Sequence, residues 1–368
     1  MRGLTRNERT VLLVVAVVTA LAGAANYGEW SAVPRFAIAT LALAGLAWVV
    51  SFATEQLGER LGPAQTGMLQ ATLGNLPELF VVIFALQKGE LVVAQTAIVG
   101  SIFANALLVL GLVIVVGSRR APDGVMRFHK RLPRDTATLM QVTVFIIVLL
   151  GLSLGSHDPA SHHVKAISIV GAICLLFVYA MWAVPYLRDD TPPGVEPGRS
   201  GGDERAAAGG ATRTEARLTL RGSVVLLLVA GVGAAFVSDW FIEALQPAID
   251  ILNLSQAFAG LVIVAIAGNA VEHAAGLLLA HRRRSDLAIS VVKNSVAQIS
   301  AFLFPALVLI SFALSTTLTF ALAPVYIGAL ALTVLAVAQV TGDGEAAAFE
   351  GWALVALYVV LATFTLFE

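Results

Sequence analysis

Charge is what this chain of 368 residues has least of. Asp, Glu, Lys and Arg make up 13% of it, against roughly 25% in an average soluble protein. With 58% hydrophobic residues and a mean hydropathy of +0.85, that shortage excludes a soluble globular enzyme. The few charges also balance, 23 Lys and Arg against 24 Asp and Glu, so no basic excess is available to neutralise a phosphate backbone, and no nucleic acid is expected as a partner. Cysteine is nearly absent. Cys174 stands alone in the apolar run ICLLFVYAMW, which excludes an internal disulfide and reads as a small buried hydrophobe. HExxH is missing, and no Cys set or paired histidines provide zinc ligands.

What is present is a series of apolar runs. A bilayer core about 30 Å thick needs about 20 apolar residues per helix. That criterion predicts an all-α polytopic membrane protein with eleven helices: 10–28, 33–53, 64–88, 91–117, 135–155, 163–187, 218–246, 255–280, 286–312, 318–340 and 350–367. The first run follows Arg2, Arg6 and Arg9 and has the outline of a signal peptide; a retained helix is the expectation. The one long polar break, RDDTPPGVEPGRSGGDERAAAGGATRTEAR, is rich in Pro and Gly and reads as a flexible linker. The expected division is an extra N-terminal helix (1–32), a first repeat (33–187), a cytoplasmic linker (188–217) and a second repeat (218–368). Basic residues are held on the cytoplasmic side. With the N-terminus inside, only Arg35, Lys88 and Lys165 fall outside, and eleven helices put the C-terminus outside. A bacterial plasma membrane is the expected setting, with the lipid bilayer as partner and the oligomeric state, a homo-oligomer included, left open.

The repeat rests on a motif. Gly74-Asn75-Leu76-Pro77-Glu78 in the third run recurs as Gly268-Asn269-Ala270-Val271-Glu272 in the eighth, at an offset of 194. Ser101 matches Ser295 at the same offset, and Asn105 and Gln298 come next, out of step by one. Upstream, Thr54-Glu55-x-x-x-Glu59 is echoed by Ser238-Asp239-x-x-x-Glu243. An odd number of helices per unit turns the second copy over, and inverted repeats with motifs at mid-membrane mark secondary transporters.

An ionised carboxylate at Glu78 or Glu272 costs several kcal/mol within a bilayer unless it is protonated, paired or bound to a cation. On continuous helices, Gly74, Asn75 and Glu78 share one face, as do Gly268, Asn269 and Glu272. Pro77 frees the Leu73 carbonyl as a further oxygen. Two carboxylates ringed by neutral oxygens suit a hard divalent cation such as Ca²⁺. Protons compete for the same oxygens when the cation leaves, which is the chemistry of antiport, with no cofactor beyond the transported ions.

GNLPELFVVIFALQKG followed by GSIFANALLVLG, and GNAVEH followed by SVAQISAFLFP, resemble the signature helices of the Ca²⁺/H⁺ (cation/proton) exchanger family within the cation/Ca²⁺ exchanger superfamily. TEQLGERLGP is similar to that family's acidic segment. The resemblance implies eleven helices, Ca²⁺ held mid-membrane and alternating access by sliding helices. It points to Asn75, Glu78, Ser101, Asn105, Asn269, Glu272, Ser295 and Gln298 as ligands, with Gly74 and Gly268 beside them. The chain departs from the family at Pro77 and at Asn294-Ser295-Val296-Ala297-Gln298, preceded by Lys293.

The remaining candidates are peripheral. His273 follows Glu272 and points roughly 100° away around the helix, as a proton relay or a packed neutral imidazole. Glu55, Glu59, Asp239 and Glu243 are expected at helix ends, serving cation or proton access or merely solvated. Lys293 is expected to snorkel to the interface; reaching Glu272 instead, it would favour a monovalent cation. The alternative function is accordingly exchange of Na⁺ or K⁺ for protons or Ca²⁺ on the same fold. The histidines of SHDPASHH read as a solvated loop.

Overall fold

The computed structural model describes residues 4–58, 73–129, 131–188 and 218–368. The expected start of the third run, Glu59 and almost all of the linker lie outside the described residues. The chain is built of helices: α1 (Arg6–Tyr27), α2 (Ala32–Gly58), α3 (Leu76–Gln87), α4 (Leu91–Arg120), α5 (Arg131–Gly155), α6 (Val164–Arg188), α7 (Leu220–Leu252), α8 (Gln256–Gly268), α9 (Ala270–His281), α10 (Ser285–Ser311), α11 (Pro324–Thr341) and α12 (Ala348–Leu366). Among the described residues nine are long and apolar enough to cross a bilayer, and the bent pair α8 and α9 makes a tenth. The shorter apolar α3 stands in the expected third span. The fold is that of an all-α polytopic membrane protein.

The helices start where the sequence supplies caps. Thr5 and Glu8 form a capping box at α1, and Thr219 and Ser255 accept from Gly222 N–H and Phe258 N–H at 3.1 and 2.9 Å. α4 and α10 are the innermost: 89% and 72% of their apolar windows are buried, against 22% for α1 and α7. The outer helices turn Val14, Val17, Phe177, Met181, Leu228, Leu332 and Val360 outward, an apolar girdle that only lipid satisfies. Cys174 is exposed on this girdle rather than buried, because α6 packs inward through Ala172, Leu175 and Tyr179.

Ties between helix ends sort them onto two faces. On one, Lys88 at the end of α3 meets α7, and Gln256 Nε2 at the start of α8 donates to Glu90 Oε2 at 2.9 Å. On the other, Arg120 at the end of α4 meets the His281 ring at 2.9 Å. There the short strands β1 (Val125–Arg127) and β2 (Glu345–Ala347) pair antiparallel, Val125 opposite Ala347. Arg127 bonds Asp123 at 2.6 Å and holds its carboxyl below the usual carboxylate range. α4, 30 residues long, spans between the faces, about 45 Å at 1.5 Å per residue. α3 therefore runs toward the Lys88 face and α9 toward the opposite, Arg282 face. The elements also echo at the motif's offset: α3 and α9 are both 12-residue helices, and α4 and α10 both pass through a π-helical turn, Ala104–Val109 and Ile299–Leu303. A third π turn, Ala259–Val264, lies in α8.

α4 and α8 cross in backbone contact at Gly100. A Cβ there would come within 2.5 Å of Leu261 Cα and carbonyl oxygen, atoms that cannot turn aside. Gly100→Val is therefore expected to destabilise the fold by about 1–3 kcal/mol through overpacking, read as a lowered melting temperature in detergent. An unchanged melting temperature would mean that the two backbones do not touch at this crossing.

Candidate ion-binding site at two helix breaks

The motif copies do not lie on continuous helices. Helix geometry is interrupted at Asn75 (φ −84°, ψ 6°) and Asn269 (φ −106°, ψ 13°), and α8 and α9 meet at a bend of 60°. Glycine weakens a helix by about 1 kcal/mol relative to Ala, and at both breaks it stands beside an Asn. Tertiary packing decides the rest. Glu78 and Glu272 consequently occupy the first turn of α3 and α9, where unpaired backbone N–H groups and the positive end of the helix dipole favour an anion. Pro77 is the second residue of α3, a position where its missing N–H costs nothing, so it is the break rather than a mid-helix kink that releases the Leu73 carbonyl.

The two breaks interlock. Glu272 lies over Gly74: a Cβ on that glycine would meet Glu272 Oε1 at 2.5 Å. Reciprocally, Gly268 faces the Cβ of Glu78, with 3.8 Å for an added methyl. Glu78 is 1% exposed, both of its carboxyl oxygens lack a hydrogen-bond donor in bonding geometry, and Ser101 and Asn269 lie beside it. Asn269 Nδ2 donates to Ser101 Oγ at 3.0 Å and to the Ala265 carbonyl at 2.9 Å, and Asn105 Nδ2 donates to the Ser101 carbonyl at 3.0 Å. A carbonyl can only accept, so these partners fix the amide orientations. Among the described residues Asn105 Oδ1 and Asn269 Oδ1 have no donor, nor do Gln298 Oε1 and Ser295 Oγ, all buried. Buried polar atoms are normally satisfied, and buried oxygens without donors are what a desolvated hard cation requires. Among the described residues no three His, Cys, Asp or Glu side chains form a metal cluster; the charge comes from two carboxylates and the other oxygens are neutral.

The other sequence candidates are placed differently. Asn75 is buried at its break. His273 is 9% exposed and its Nε2 has no partner. Asp239 and Glu243 are not at a helix end, because α7 continues to Leu252. They are ion-paired: Lys88 Nζ lies 2.7 Å from Asp239 and 3.3 Å from Glu243, Arg35 lies 3.9 Å from Glu243, and Asn26 Nδ2 donates to Glu243 at 3.2 Å. Such half-exposed pairs contribute about 0–1 kcal/mol each. Glu55 is exposed on α2, and Glu59 lies outside the described residues. Lys293 does not snorkel. It is 1% exposed, and its Nζ donates to Thr341 Oγ1, on the last residue of α11, at 3.2 Å. Sequence reasoning missed Ser51, whose hydroxyl lies 3.9 Å from the Gly74 Cβ position; a lone serine in an apolar run was the signal. Ser238, which opens the second acidic string, has a buried hydroxyl with no partner among the described residues. The string Gly151–Gly155 spells GxSxG, but it ends a helix and is no strand-to-helix elbow.

Broken helices that meet through buried carboxylates, inside a lipid-facing shell, define a membrane transport protein. The chain belongs to the sodium/calcium exchanger protein family, whose profile matches residues 31–185 and 222–367. It is 31% identical over 361 residues to the vacuolar calcium ion transporter of Schizosaccharomyces pombe, covering 96% of this chain and 84% of that one. It is 30% identical to the Ca²⁺/H⁺ antiporter of Synechocystis sp., with 96% of each covered. Among solved structures, native YfkE matches with a TM-score of 0.78 at 24% identity over 97% of this chain and 100% of that one. The H⁺/Ca²⁺ exchanger CAX matches at 0.74 and 20% identity over 98% and 89%. The family is one of transporters rather than catalysts, and the resemblance carried by the two motif helices is borne out.

The two motif glycines differ in space, so their variants should differ. Gly74→Ala drives a methyl into Glu272 Oε1, whereas Gly268→Ala makes only ordinary contact. Gly74→Ala is expected to weaken Ca²⁺-dependent thermal stabilisation of the purified protein about tenfold in half-saturating concentration, with Gly268→Ala changing it about twofold or less. Equal effects would show that the two carboxylates are packed alike.

Proposed function

We propose that the protein is a secondary antiporter exchanging cytoplasmic Ca²⁺ for protons, with Glu78 and Glu272 binding cation and proton alternately. The observation that carries this reading is the pair of buried carboxylates at the interlocked breaks, with Ser101 and Asn269 beside Glu78 and the Glu78 carboxyl oxygens without a donor among the described residues. Two buried negative charges within about one site are too costly to leave bare. One divalent cation or two protons neutralise them equally, so each species displaces the other. Asn105, Asn269, Ser101, Ser295 and Gln298 supply neutral oxygens, Asn75 holds the first break open, and Gly74 and Gly268 allow the carboxylates to approach. His273 is a candidate for carrying protons to and from the pair, and Glu55, near the end of α2, is a candidate for gating access to it. The names of the relatives, a calcium ion transporter and a Ca²⁺/H⁺ antiporter, support the choice of ions.

In this reading the chain is an extra first helix followed by two inverted five-helix repeats, 33–187 and 218–368, with a cytoplasmic linker between them. The opposed directions of α3 and α9 support that division. The N-terminus is cytoplasmic and the C-terminus outside, in a bacterial plasma membrane. A second reading, Na⁺ or K⁺ as the cation, draws on the buried amine of Lys293, which has one neutral partner.

The test is tracer Ca²⁺ uptake into everted vesicles under an imposed pH gradient. Wild type is expected to take up Ca²⁺ only with the gradient and in excess Na⁺ or K⁺, and Glu78→Gln and Glu272→Gln to abolish uptake. Because two protons and one Ca²⁺ share the carboxylates, lowering pH on the Ca²⁺-loading side should raise the apparent KM for Ca²⁺, by up to about a hundredfold per pH unit where both carboxyls are protonated. Uptake that persists in either glutamine variant would overturn the assignment. Movement of Na⁺ or K⁺ without Ca²⁺ would favour the second reading, and Lys293→Ala should then raise the preference for Ca²⁺.

A further inference from the structure

The half-helices α3 and α9 end alike. Lys88 N–H donates to the Phe84 carbonyl, Gly89 to Leu86 and Glu90 to Ala85; at the motif's offset, Arg282 donates to Leu278, Arg283 to Ala280 and Arg284 to Leu279. Each cap turns through a left-handed residue, Gly89 at φ 83° and Arg283 at φ 59°. Lys88 and Arg282 are thus one position in two copies, each a cation closing a half-helix, on opposite faces of the molecule.

Each cation also has a matching acid. Asp239 on α7 and Glu55 on α2 occupy the same place in the repeated acidic string. α3 packs against α7, and α9 packs against α2. The two ends nevertheless differ. Lys88 is 2.7 Å from Asp239, with Glu243 at 3.3 Å, while Arg282 is exposed and enters no ion pair among the described residues.

We propose that these are reciprocal latches that control access to the carboxylate pair. Lys88–Asp239 holds the Lys88 face closed in this structure, and Arg282–Glu55 closes the opposite face when the Lys88 latch opens. An exchanger open at both faces would leak its gradient, so the two pairs must alternate. Both are solvent-accessible, and water competes for each ion as it parts, so neither traps the protein in one state. The proposal needs the exchange reading only in that the site must face two sides in turn.

The experiment replaces Cys174, the one native thiol and an exposed one, by Ala, and introduces either Lys88→Cys with Asp239→Cys or Glu55→Cys with Arg282→Cys. A short reducible bis-methanethiosulfonate is added to the full-length protein in proteoliposomes. Intact-mass spectrometry separates one bridging linker from two singly attached ones. Bridging is expected at both pairs, abolishing transport in each case until reductant is added. Lys88→Glu, which sets two acids against each other at the closed face, should raise bridging at Glu55→Cys/Arg282→Cys several-fold, and adding Asp239→Lys should return it to its starting level. Absence of bridging at Glu55/Arg282 in protein that still transports, or a yield indifferent to Lys88→Glu, would overturn the latch. The bridging yield does not depend on which cation is carried, so failure of the Ca²⁺ assignment would appear in the uptake assay alone.

Discussion

Two buried carboxylates, Glu78 at 1% and Glu272 at 9% exposure, are the constraint around which the rest is arranged. A bilayer tolerates such groups only if something answers their charge, and here the protein supplies partial answers only. The helix breaks at Asn75 and Asn269 put Glu78 and Glu272 in the first turns of α3 and α9, at the positive ends of the helix dipoles. The amides of Asn105 and Asn269 spend their donors on carbonyls and a hydroxyl, and their oxygens have no donor among the described residues. Full satisfaction by the protein would have made a stable ion pair or a neutral core. Incomplete satisfaction leaves buried acceptors that the described residues do not answer.

The same constraint accounts for the layering. A charged centre needs the thickest insulation, so α4 and α10 are enclosed and the poorly buried α1 and α7 face lipid. α3 and α9 are short because each starts at a break, Asn75 and Asn269, rather than at a membrane face. The π turns of α4 and α10 come soon after Ser101 and Ser295, and the first of them contains Asn105. Wide turns free backbone groups and shift the angular register of the residues beyond them, which is useful where side chains from four helices must converge.

Much of this was legible in the residues. Apolar runs gave the helices because bilayer thickness fixes their length, and the repeated Gly-Asn-x-x-Glu marked the two segments that pack against each other, Glu272 over Gly74 and Gly268 facing Glu78. The breaks were not legible: a helix tolerates Gly-Asn in isolation, and packing against the other copy bends it there. Lys293 was misplaced because its sequence position gives its distance from the helix end but not its partner on another helix, Thr341. The pairing of Asp239 and Glu243 with Lys88 and Arg35 escaped for the same reason, since those partners belong to other helices. Ser51 carried too little signal, one hydroxyl in a run of apolar neighbours.

The pairing of β1 with β2 has a consequence for biosynthesis. Its two strands lie about 220 residues apart, so a contact of this sequence separation is among the last to form. Val125–Arg127 leaves the ribosome long before Glu345–Ala347 exists, and its edge stays unpaired while seven further helices, α5 to α11, are made. The clasp closes only once α11 is in place. A chain truncated before that helix would keep the motif glutamates but not the clasp, and cellular quality control would meet it as an unfinished product.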